Sequence, residues 1–213
     1  MLQHSHARQK REQLEKKVPM LAKCLTVLFW LNIVSLIPSV MGNDLTKELP
    51  TLYRTGQMLT MILSLAVVVF YFVMAKVNER YRKAALCIGV VAVIECALLW
   101  ITGGETPTWT LLINIPAIVL GFVGRYNLYT AHSEILELVD ATLSEQWLKL
   151  WKWYIYLSIA ALGSVLLVAI LPILGLLAVL AAAIGTVVVS IMELIYLYRM
   201  MDHFRTYAKN LAA

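Results

Sequence analysis

Two carboxylates interrupt long apolar stretches of the chain, Glu95 within residues 89–100 and Glu193 within residues 183–198. Hydrocarbon gives an ionisable group no hydrogen bonds, so such a residue costs about 2.5–3.5 kcal/mol on insertion scales and tends to face protein or a wet cavity. Polar residues fall at similar depth. Counting about 1.5 Å of helix per residue from the nearest basic boundary places Glu95 about 17 Å deep and Ser64, Asn114 and Ser164 about 15–18 Å deep. The same count gives about 14–21 Å for Asn32 and about 9 Å for Glu193. The chemistry this pattern supports is a midplane polar site of Glu95, Asn114 and Asn32 for a small solute or a proton. Glu193 and Ser190 would line a route from it toward the basic side. Ala182, Thr186, Ser190 and Glu193 recur at helical spacing and define one small, polar face that is expected to be buried. By depth Glu193 is expected near the level of Lys23 and Arg125 at the basic boundary, whereas Glu95 has no basic residue nearby in sequence. The competing reading is structural glue, because serine, threonine and asparagine within spans often bond their own backbone or a neighbouring helix.

Other chemistry finds little support. Cys24, Cys87 and Cys96 are odd in number, lie in apolar blocks and lack metal-finger or C-x-x-C spacing, so they read as small hydrophobes. His4, His6, His132 and His203 have no companion cysteine cluster and no H-E-x-x-H pattern, so no metal or cofactor is expected and the histidines read as solvated. Nucleophile-elbow, Walker-type and dinucleotide-binding glycine patterns are missing, which argues against an enzyme and leaves no catalytic residue to name. The basic N-terminal arm is short, and its expected partner is anionic lipid headgroups rather than nucleic acid.

The elements that must hold these residues are transmembrane helices. The chain is 61% hydrophobic and 15% charged, with a mean hydropathy of +0.76, far from the mix of a soluble domain. Six apolar blocks, at about 18–41, 57–76, 84–101, 109–124, 154–171 and 173–198, meet or approach the roughly twenty residues that a span needs. The expected fold is thus an all-α integral membrane protein, a bundle of six transmembrane helices built from three helical hairpins. It comprises a basic segment at 1–17, the membrane domain at 18–198 and a tail at 199–213. Of the 18 basic residues, only Lys47 and Arg54 fall in the outer loops. Lysine and arginine concentrate on the cytoplasmic side of short loops, so both termini are expected in the cytoplasm and the protein in the plasma membrane. Tyr126, Tyr129, Trp147, Trp151, Trp153 and Tyr198 fit headgroup-level anchors along the inner boundary.

Residues 127–150 form the largest predicted soluble-facing segment. Thr142 to Glu145 has the form of a capping box, which predicts a helix starting there and running into the fifth span. Leu148 and Trp151 would rest on the membrane surface. Taken together, these features suggest a transporter-like or substrate-binding membrane component, working as a homo-oligomer or with a protein partner. The alternative is a scaffold or regulatory subunit that recruits a partner through Glu134, Glu137, Asp140 and the tail around Tyr207.

Overall fold

The computed structural model describes residues 2–43, 46–103 and 107–212, with the side chains of 2–13, 169 and 212 left aside. The side chains of His4 and His6, much of the basic arm, and loop residues 44, 45 and 104–106 therefore lie outside the described residues. In order the helices are α1 (Leu2–Met41), α2 (Pro50–Met74), α3 (Glu79–Thr102), α4 (Thr110–Leu136), α5 (Ala141–Ile170) and α6 (Pro172–Ala212). Among the described residues there is no strand. Each helix contains a stretch long and apolar enough to cross a membrane. A backbone in hydrocarbon must satisfy its own polar groups, and a helix does so within one segment. Leu112, Ile170 and Ile173 are among the most exposed apolar side chains, at 78%, 76% and 78%, as suits a surface in contact with lipid.

Local chemistry sets the helix ends. Pro50 opens α2, where its missing N–H costs nothing. The Asn78 side chain accepts a hydrogen bond from the Arg80 N–H at 2.9 Å and caps α3, which ends at Gly103 with φ 65°, a conformation that favours glycine. Pro172 opens α6 directly after the Leu171 cap of α5.

In the segment 127–150, where a helix is expected from Thr142 onward, residues 127–136 are helical as well. α4 continues to Leu136, and a short turn follows in which the Val139 and Asp140 N–H groups both donate to the Leu136 carbonyl. The cap of α5 is Asp140 rather than Thr142, for the Asp140 carboxylate accepts from the Leu143 N–H at 3.0 Å. Asp140 stands where the backbone leaves the turn, and Thr142 is already inside the first helical turn. From that start α5 runs on into its apolar stretch, as the sequence leads one to expect. Asp140→Ala should cost about 1 kcal/mol. Its thermal unfolding in detergent should show a lower midpoint, whereas Thr142→Ala should leave the midpoint unchanged.

The chain forms two compact units, one of residues up to 131 together with those from 201, the other of residues 132–200. In the first, α1 packs on α2 and α2 on α3. The end of α1 meets α2 backbone to backbone: a Cβ added at Gly56 would lie 2.3 Å from the Gly42 nitrogen and 2.6 Å from the Met41 carbonyl carbon. Gly124 of α4 likewise sits against Cys87 and Ile88 of α3. Tyr71 and Tyr81 are buried and stack at 6.4 Å. The Lys17 ammonium donates to the Lys76 carbonyl just past the end of α2, and the Tyr207 hydroxyl donates to the Glu15 carboxylate at 2.8 Å.

In the second unit, the Ser144 hydroxyl donates to the Ser133 carbonyl at 2.8 Å and its oxygen lies 2.8 Å from the Ser133 hydroxyl, tying the start of α5 to the end of α4. Trp147 is fully buried, with its ring 4.5 Å from that of His132 and 6.0 Å from that of Tyr196. Three expectations are corrected here. Trp147 and Tyr129 are core residues rather than headgroup anchors, and His132 is 2% exposed rather than solvated. The cause is the helical extension of α4 and α5, which turns faces that a loop would leave in water into packed surfaces. Tyr126, Trp153 and Tyr198 stay exposed.

Candidate functional site

Gln57, Thr60, Met61 and Ser64 share one face of α2, because their spacing of three, four and seven residues brings them round to the same side. Ala92 and Glu95, three apart on α3, face them, and the six residues line a cavity of about 280 Å³. Packing of small residues explains why it lies at this level. Ala85 and Ala92 of α3 are buried, and a Cβ at Gly89 would come within 3.3 Å of a Val68 methyl, so the two helices are in close contact there. One turn further along α3 the side chain is Glu95, and the polar groups of α2 stand opposite it. Ala92 is buried and Glu95 exposed, with the others half-buried, so the cavity is a groove open on the side of Glu95.

Donors in the groove are largely committed elsewhere. The Gln57 side-chain amide donates to the Gly42 carbonyl at 2.8 Å, and the Thr60 hydroxyl donates to the Gly56 carbonyl at 2.9 Å. The cavity therefore offers as acceptors the Glu95 carboxyl, the Gln57 amide oxygen and the Thr60 and Ser64 oxygens, and as donors the Ser64 hydroxyl and the second Gln57 amide proton. Among the described residues no lysine, arginine or histidine lines it. Met61 and Ala92 supply an apolar wall.

Of the expected site residues Glu95, Asn114, Asn32, Glu193 and Ser190, Glu95 lines this cavity, together with Ser64, which counts to the same depth. Asn32 is half-buried on α1 and donates to the Leu28 carbonyl at 2.8 Å, bonding its own helix. Asn114 is half-buried on α4 and does not line the cavity. Glu193 and Ser190 belong to the other compact unit, where Glu193 is half-buried. Ser190 is exposed and donates to the Thr186 carbonyl at 3.0 Å, and Thr186 donates to that of Ala182 at 2.9 Å. Ala182 is buried, but Thr186 and Ser190 are exposed, so the expected buried face on α6 is only partly enclosed.

Gln57, Thr60 and Met61 were not anticipated as site residues, and Ser64 only by its depth. Their periodic spacing along α2 was the signal available. Among the described residues no three histidine, cysteine, aspartate or glutamate side chains come together as a metal-ligand set, and the three cysteines are free thiols. No protein-family model, curated protein or solved structure matches the chain.

Proposed function

We propose that this membrane protein is a small carrier that moves a proton and a small solute by way of Glu95, with its termini in the cytoplasm of a cell whose plasma membrane it crosses six times in three hairpins. The single observation behind this reading is the groove between α2 and α3. It joins an acid, three uncharged polar side chains and space for a solute within helices otherwise built for hydrocarbon. An acid within a span marks an ion or proton path more often than a structural contact. Its depth agrees with that role, because Glu95 and Ser64 both count to roughly mid-bilayer from their own basic boundaries. The positive-inside distribution of lysine and arginine supports the orientation.

A scaffold that recruits a partner through residues 127–150 is the second reading. Glu134, Glu137 and Leu138 are exposed near the α4–α5 turn and offer a short contact surface. Most of that segment is occupied by helix packing, with His132, Ser133, Ile135, Leu136, Leu143, Ser144, Trp147 and Leu150 all buried, and the carrier reading is preferred for that reason.

The test is reconstitution of the purified chain into vesicles enclosing a pH-sensitive dye. An imposed pH gradient should drive proton uptake faster than in protein-free vesicles. Uptake equal to that of empty vesicles across a panel of small amines, acids and neutral solutes would overturn the carrier reading.

A further inference from the structure

We propose that the groove between α2 and α3 binds a small organic ammonium ion, its cationic head on Glu95 and its short alkyl body on Met61 and Ala92. The proposal rests on the carrier reading for its biological meaning but makes a separate claim about ligand class. Charge is the first argument. The lining holds one carboxyl and no basic side chain, so an anion would meet repulsion with nothing to pair it. Hydrogen-bonding capacity is the second. The Thr60 hydroxyl proton and one Gln57 amide proton are bonded to the Gly56 and Gly42 carbonyls, which leaves the Ser64 hydroxyl and the second Gln57 proton as donors against the acceptor oxygens of Glu95, Gln57, Thr60 and Ser64. A ligand rich in donors matches this excess of acceptors, and a primary ammonium carries three donors and no acceptor.

Size is the third argument. A volume of about 280 Å³ exceeds the roughly 30 Å³ share of one water and falls just under the roughly 300–1,000 Å³ of pockets for drug-sized ligands. A bare alkali ion would leave nearly all of it to water, whereas a short alkylammonium occupies a substantial part of it and lies along its walls. The walls agree, since the acceptors lie beside Met61 and Ala92, so a ligand with a cationic end and an apolar end meets matching surfaces at both. Pairing of an ammonium with a carboxylate strengthens where water is scarce, which places the discriminating contact at Glu95.

The experiment is calorimetric titration of the full chain in lipid nanodiscs with n-propylammonium, with the neutral propionamide and propionate of similar size, and with sodium ion. Propylammonium should bind saturably, propionamide on the order of tenfold or more weaker, and propionate not at all. Glu95→Gln should remove propylammonium binding while eluting as the same monodisperse species. Ser64→Ala should weaken it several-fold, a second variant that leaves the carboxyl in place. Equal binding of propylammonium and propionamide, tighter binding of sodium than of propylammonium, or unchanged binding in Glu95→Gln would overturn the assignment. Proton uptake dependent on Glu95 without propylammonium binding would also overturn it and leave the carrier reading standing. Binding of propylammonium dependent on Glu95 without proton uptake would sustain it and sink the carrier reading.

Discussion

Glu95→Gln is expected to bring proton uptake by reconstituted vesicles down to the level of protein-free vesicles while the protein still folds and inserts. The substitution keeps the shape of the side chain and its ability to accept hydrogen bonds, and it removes only the group that can gain and lose a proton. Among the described residues no other acid or base lines the groove, so none of them can take over. Glu193, the other acid in an apolar stretch, lies in the other compact unit and does not line this cavity. Glu95→Asp retracts the carboxyl by one methylene and should retain part of the flux. Dye-based uptake, normalised to protein recovered in the vesicles, measures all three. Wild-type uptake in Glu95→Gln would show that the proton passes elsewhere.

Gly56→Val should prevent α1 and α2 from docking. A Cβ at Gly56 would stand 2.3 Å and 2.6 Å from backbone atoms of Gly42 and Met41, and backbone cannot rotate aside as a long side chain can. The helices would have to separate, and the hydrogen bond from the Gln57 side-chain amide to the Gly42 carbonyl would be lost with them. Overpacking a well-fitted contact costs about 1–3 kcal/mol and more where nothing can yield. The expected outcome is a large loss of monodisperse protein and a markedly lower unfolding midpoint in detergent. Gly163→Ala is the matched control, because a Cβ there meets nothing within 4 Å and alanine favours the helix. If Gly56→Val behaves like Gly163→Ala, the close approach at Gly42 does not exist. Because Gln57 lines the groove, Gly56 variants that still fold should also bind propylammonium more weakly.

Helix content and the apolar stretches were legible because hydrocarbon-length runs of leucine, isoleucine, valine and alanine leave the backbone one economical way to satisfy itself. Helix ends were less so. The acidic residue that caps α5 precedes the capping-box pattern, and nothing in the local sequence ranks Asp140 above Thr142 until the turn at Leu136 brings the backbone round. The continuation of α4 through 127–136 was hidden for a related reason. Charged residues there suggested water, but a helix can carry charges on one face and a core on the other. The buried side of α4 and α5 is set by tertiary contacts, the hydrogen bond from Ser144 to Ser133 and the packing of Trp147 against His132.

For the site, counting depth along each helix gave Glu95, Ser64, Asn114 and Asn32 similar levels, yet depth is one coordinate of three. Rotation about each helix axis and the choice of neighbours decide which side chains meet. Asn32 bonds to its own helix, Asn114 stands away from the groove, and Glu95 meets Gln57, Thr60 and Ser64 instead. Composition by itself determined that this chain is helical and made for lipid, and that its acids within apolar stretches are exceptional. Tertiary structure alone decided that α2 supplies the partners of Glu95, because the small residues at Ala85, Gly89 and Ala92 let α2 and α3 close to contact and set the level at which polar groups face one another.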